Sequence, residues 1–327
     1  MEGIGRGLRS VATREFTDQE IESFVGDLES LRGGSLSAAA LIGCGPRAVP
    51  PLRSYLLHGR PRGIYQPRQL AVETLGELGA RDVLIEYLSN PAPIEDPVVR
   101  HAEDAVRSTA ARELARWQTE DVFECLMRAT DRLLPGIVDA LGTFRRSEAM
   151  PYFLLALGDG VCRSNAEEAI RALGLAASPF LMEAAISRNP SAEDEIPSGL
   201  QRRRWALRIL ADLKLREEDW MRLRDLLDED DSEIVIATSR IGLEIASVPD
   251  RWRAVHRLIE MLPRANWFLQ SEVRTALVEH FDIAREPVED EIARRINSDG
   301  KEQALDAVLR FLVNLRNQAL ETGPARR

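Results

Sequence analysis

The stretch Ala40-Leu41-Ile42-Gly43-Cys44-Gly45-Pro46-Arg47-Ala48-Val49-Pro50-Pro51-Leu52 reads as the end of one helix, a glycine turn, and a second helix opened by Pro-Pro. Glycine suits the turn because it has no Cβ to clash. Proline suits a first helical turn because the N–H it lacks would have no intrahelical partner there. Diverged copies follow, each with a Leu closing its first helix: Leu41, Leu75-Gly76, Leu114-Ala115, Leu141-Gly142, Leu173-Gly174 and Leu210-Ala211, spaced 34, 39, 27, 32 and 37 residues apart. A period in this range belongs to stacked helical pairs, each burying its apolar side against the next. The expectation is an all-α chain.

Composition agrees with many thin layers rather than one thick centre. Hydrophobic residues make up 44% of the 327 residues, aromatics only 6% and charged residues 29%. The formal charge is -10, and the excess lies early, with 29 acids against 21 bases before residue 200. Proteins that grip duplex nucleic acid draw most of their affinity from basic faces, so net acidity disfavours that class. Lys214 and Lys301 are the two lysines, and the remaining bases are arginine.

Cys44, Cys125 and Cys162 stand alone in sequence, without zinc or redox spacing, and read as small buried apolar residues in a cytoplasmic protein. Met1 to Arg14 carries Arg6, Arg9 and Arg14 but no apolar core of a leader peptide. No segment approaches the ~20 apolar residues of a membrane-spanning helix, so no membrane association is expected.

Residues 1–15 read as a flexible N-terminus. Order is expected from Phe16, where Thr17 and Glu20 form a capping box flanked by Phe16 and Ile21, and Ile21, Phe24, Val25, Leu28 and Leu31 continue with helical spacing to Gly33-Gly34. The expected N-terminal array spans 16–189. Asn189 to Gly199, with two prolines and three consecutive acids, reads as an exposed loop and a boundary at 190–199. A second array over 200–320 ends in a capping helix from Glu302 to Leu320 that gathers Leu305, Val308, Leu309, Leu312, Val313, Leu315 and Leu320, leaving 321–327 as a tail.

Arg68, Arg107 and Arg203 each stand seven residues before an anchor Leu, and Asp104-Ala105-Val106-Arg107-Ser108-Thr109-Ala110-Ala111 carries the fullest version. This pattern resembles the HEAT repeat, in the short bacterial form associated with phycobilisome lyases. The resemblance covers roughly 35–296. The copies at 66–90 and 104–130 match well, whereas those at 133–160 and 161–187 keep Leu-Gly and lose the Arg. It implies a right-handed α-solenoid of about eight HEAT-like hairpins with capping helices at both ends. It also implies that the repeated Arg, with Arg274 in a shifted setting, ties neighbouring repeats together through acidic or backbone groups.

Chemistry-bearing motifs are scarce. The histidines His58, His101, His256 and His280 make no HExxH, and the iron-binding His-Glu pairs of deoxyhypusine hydroxylase, which has a similar fold, have no counterpart beyond a reversed Glu279-His280. No phosphate-binding glycine loop or nucleophile elbow occurs, so no catalytic residue, cofactor or metal is assigned. The leading expectation is a non-catalytic scaffold or regulatory adaptor in a bacterial complex that binds a protein partner with its concave face. Arg60, Arg62 and Tyr65 would contribute in the 58–68 loop, and Arg202, Arg204 and Trp205 further along. The resemblance also brings two alternatives: phycobilin-lyase-like chromophore or phycobiliprotein binding, cradled by Arg60, Arg62 and Tyr65, and nucleic-acid binding of the alkylpurine-glycosylase type. The latter would use Gln201-Arg202-Arg203-Arg204-Trp205, Arg251-Trp252-Arg253, Trp220 and Trp267 for phosphates and base stacking.

Overall fold

A computed structural model describes residues 16–30, 32–91, 93–188, 195–297 and 307–322. Among the described residues the chain is helical and forms no β-strand. It divides into two compact units, 1–144 and 145–327. The boundary expected at 190–199 falls inside the second unit, and most of that loop lies outside the described residues, as do 1–15, Leu31, Leu305 and the tail beyond Thr322.

The first unit holds α1 (Asp18–Asp27), α2 (Gly34–Cys44), α3 (Val49–His58), α4 (Gln66–Glu77), α5 (Arg81–Ser89), α6 (Pro97–Leu114), α7 (Glu120–Arg128) and α8 (Pro135–Phe144). The deciding stretch folds as read. α2 ends at Cys44, Gly45 takes φ 64°, a short 3₁₀ turn spans Gly45–Ala48, and Pro50 and Pro51 lie in the first turn of α3. The N-terminal capping box also forms, with Thr17 and Glu20 exchanging side-chain and backbone bonds. Even-numbered helices pack in succession, α2 on α4, α4 on α6 and α6 on α8, while α1, α3, α5 and α7 make a second row in the same manner.

The second unit holds α9 (Met150–Leu157), α10 (Arg163–Leu173), α11 (Ser178–Ile186), α12 (Pro197–Ala211), α13 (Glu217–Leu223), α14 (Ser232–Ile245), α15 (Val248–Met261), α16 (Trp267–Glu279), α17 (Phe281–Asn297) and α18 (Ala307–Thr322). Here too α10, α12, α14, α16 and α18 pack in succession, with α9, α11 and α13 beside them and α15 against α17. α12 starts at Pro197, inside the segment expected to be loop, because Pro197 occupies a first-turn position where its missing N–H costs nothing. On α18, Phe311, Leu312 and Leu315 are buried, but Leu320 is exposed rather than part of the expected apolar side.

The anchor leucines fall in α2, α4, α6, α8, α10 and α12, the even rows. Leu41, Leu75, Leu114, Leu141 and Leu210 are fully buried, each an apolar side chain whose burial contributes about 1.5–3 kcal/mol. A correction concerns membrane-length segments. The 24 residues Arg163–Ile186 are long enough to cross a bilayer and contain an 18-residue stretch apolar enough to do so, with mean hydropathy 1.4. Gly174, at φ 59°, turns the chain midway, so the stretch consists of α10, a 3₁₀ turn and α11.

Candidate functional site: an arginine–aromatic line on the second unit

Helical spacing places Trp205 and Arg208 one turn apart on α12, and the packing of the even row brings residues of α10 and α16 to them. Two guanidinium groups stand over the Trp205 ring, Arg163 of α10 at 4.9 Å and Arg208 at 5.1 Å from its centroid. Arg208 also stands 5.0 Å from the centroid of the Phe268 ring on α16. Phe268 meets Trp267 edge-on at 6.0 Å, and Trp267 is 80% exposed. A cation over an aromatic face contributes roughly 0.5–1 kcal/mol at an exposed site, which helps to hold the line in place.

Carboxylates flank this line. Arg208 lies 3.8 Å from Glu233 and 3.7 Å from Glu272, which also faces Arg240 at 3.7 Å. Arg240 and Arg171 both reach Asp212, at 3.7 and 2.8 Å. Positive charge on this row is therefore matched locally by carboxylates.

The residues singled out from sequence divide into two places. Arg60, Arg62 and Tyr65 share an exposed loop between α3 and α4, where Arg62 donates to Glu29 Oε2 at 3.1 Å and Tyr65 is exposed. Gly59 is required at the loop's start, because a Cβ there would meet the Tyr55 carbonyl oxygen at 2.2 Å. On α12, Trp205 joins the line. Arg204 is paired within the fold, to Asp231 through Nε at 3.2 Å and through Nη2, and to Glu233 at 3.1 Å. Arg202 is half-buried, with its Nε enclosed and without a hydrogen-bond partner. Arg163, Arg208 and Phe268 were missed from sequence. Arg208 was readable as the residue one turn from Trp205, whereas Arg163 and Phe268 lie on other helices and only packing brings them close.

The repeated arginines lie inside. Arg68 donates from Nε and Nη2 to the Glu103 carboxylate at 2.9 and 2.7 Å and also to the carbonyls of Tyr55 and Leu56 at the end of α3. Arg203 donates to Ala185 O, Glu195 and Glu229, each at 2.8 Å. These contacts bind one helical pair to the next and satisfy the last carbonyls of α3 and α11. Arg274 instead stacks 4.9 Å from the centroid of the Phe311 ring.

Burial pushes the Cys44 and Cys125 thiols up, favouring the unreactive protonated form. His58, His101 and His256 are on the surface, and His280 pairs with Glu244 at 3.1 Å. Among the described residues no three His, Cys, Asp or Glu side chains converge to hold a metal ion. No protein-family model matches the chain, and no curated protein matches it in sequence.

Proposed function

We propose that the protein is a non-catalytic interaction scaffold or regulatory adaptor, a HEAT-like α-solenoid that engages a protein partner through the even helix row of its second unit. The observation that carries this reading is the line Arg163, Trp205, Arg208, Phe268, Trp267, which is ordered by its own stacking yet ends in a largely exposed indole. Trp and Arg are the residue types that dominate interface hot spots, and a pre-ordered patch loses little conformational entropy on binding. The surrounding acids favour a protein over a nucleic acid.

The test is capture from native extract with tagged full-length protein, washed at high salt, comparing wild type with a Trp267→Ser/Phe268→Ser double variant. A stoichiometric protein retained by wild type and lost by the variant supports the reading. Equal retention by both moves the interface elsewhere. Recovery of nucleic acid released by salt, or of a bound bilin, would replace it with one of the alternatives.

A further inference from the structure

The starts of α13 and α15 converge on an open cleft of about 590 Å³, lined by Arg216, Glu217, Glu218, Trp220 and Met221 at α13 and by Asp250 on α15. One wall is packed in place. Trp220 is buried, and its ring lies flush on Gly242 of α14, where a Cβ would come within 2.7 Å of it. The indole Nε1 donates to Asp250 Oδ2 at 2.7 Å, which ties α13 to α15 and holds the Asp250 carboxylate at the cleft.

Apolar side chains stand in solvent here. Met221 is 59% exposed, and Val248, in the first turn of α15, is 62% exposed. An unbranched thioether adapts to the shape of whatever covers it. The charges are unequal. An acid in a first helical turn is favoured by the helix dipole, and the meeting of two such turns sums their acids at one place. Within the lining Glu217, Glu218 and Asp250 face one base, Arg216, which pairs with Glu218 at 2.6 Å. Arg224 approaches the Met221 sulfur at 4.0 Å, but Asp225 answers its charge at 3.5 Å, and Arg253 is held by both oxygens of Asp228. Two negative charges of the lining, on Glu217 and Asp250, are left without a cation.

We propose that this cleft docks a basic, aliphatic segment of a protein partner, a lysine or arginine flanked by leucine-like side chains. The cation would meet Glu217 and the Asp250 oxygen that Trp220 leaves open, and its aliphatic neighbours would cover Met221 and Val248. Charge complementarity selects this occupant. An acidic or phosphorylated segment would bring like charge to the cleft, and a wholly polar basic one would leave Met221 and Val248 in water. The surface belongs to α13 and α15, not to the helix row that carries Trp267, so it stands independently of the interface proposed there.

The experiment is titration of the full-length protein into a short, amidated, fluorescently labelled peptide that alternates leucine with lysine, read by anisotropy. Two further peptides carry serine in place of leucine or glutamate in place of lysine. The leucine–lysine peptide should bind, the serine–lysine peptide should bind roughly fivefold more weakly, and the leucine–glutamate peptide should not bind. Glu217→Lys should weaken the leucine–lysine peptide roughly tenfold, and Met221→Ser roughly fivefold. Both side chains are exposed, and melting midpoints check that each variant keeps its fold. Glu22→Lys, at an exposed position on α1 of the first unit, changes the net charge as Glu217→Lys does and should leave affinity unchanged. Equal weakening by Glu22→Lys overturns the proposal, because the peptide would then be following the chain's net charge of -10. So does unchanged affinity in either Glu217→Lys or Met221→Ser. No binding of the leucine–lysine peptide, or equal affinity for the serine–lysine peptide, overturns it too.

Discussion

Arg203 on α12 reaches Glu229 beyond α13, its Nη2 2.8 Å from Oε1, while Glu195 takes a second nitrogen at the same distance. Both carboxylates are largely buried, and Glu229 takes Arg188 as a second partner. Removing one partner of a buried pair typically costs about 3–5 kcal/mol because the other charge stays behind uncompensated. Arg203→Met and Arg68→Met should each lose stability of that order in urea unfolding at neutral pH. Arg107→Met should cost about 1 kcal/mol or less, since it gives up one long contact to a half-exposed aspartate. Equal losses for all three would mean that Arg107 is as well satisfied in solution as its counterparts.

Glu229 also sets a pH dependence. Burial pushes its carboxyl up, but hydrogen bonds and charge from Arg188 and Arg203 outweigh burial and hold it below the ordinary glutamate value. With a folded pKa below the unfolded one, the unfolded chain binds more protons as pH falls. The contribution is therefore fully present above about pH 4.3 and is lost as pH drops through the folded value. Urea midpoints of wild type and Glu229→Gln should differ most near neutrality and converge in acid. A gap that persists unchanged at the lowest pH would remove Glu229 from the acid limb.

Two glycines on packed helices should respond unequally to alanine. At Gly136 of α8 a Cβ would lie 2.0 Å from the Ser108 carbonyl oxygen of α6, a contact with backbone that neither helix can relieve without moving apart. At Gly76 of α4 the nearest atom, 2.2 Å away, is the carboxylate tip of Glu113, which can swing aside. Overpacking costs typically 1–3 kcal/mol and occasionally more, so Gly136→Ala should reach about 3 kcal/mol and Gly76→Ala about 1 kcal/mol or less. Thermal melts of the two variants compare them directly.

The helical rows were legible because the helices carry their own local signals: a buried Leu such as Leu75 near the end of an even helix, a glycine turn at Gly45 or Gly174, and proline at a helix start. The division at 144 was not, since Phe144-Arg145 carries no proline or acidic run to mark it, whereas the conspicuous Pro197 simply starts α12. The candidate site was half legible. Trp205 stood out by its neighbours in sequence, but what makes it part of a line is Arg163 and Phe268, delivered by other helices. The contrast between Arg68 and Arg107 was invisible, because it depends on what packing sets against each: Glu103 of α6 and the end of α3 at Arg68, Asp131 beyond α7 at Arg107.

That difference between reading and packing decides how the proposed interface should be probed. Charge reversal at Arg204, attractive from sequence, would set a third carboxylate beside Asp231 and Glu233. It would also disturb the start of α14, where Asp231 Oδ1 caps the backbone N–H groups of Glu233 and Ile234 at 3.1 Å. Arg204→Glu should therefore cost about 2 kcal/mol or more, and lost partner capture by it would report a damaged fold. Trp267→Ser removes a side chain already in solvent and leaves the Asn266 cap of α16 intact, so its stability should stay within about 0.5 kcal/mol of wild type. Melting and capture measured side by side on these two variants should give an unchanged midpoint with lost capture for Trp267→Ser and a lowered midpoint for Arg204→Glu. Full capture by Trp267→Ser would take the exposed indole out of the interface.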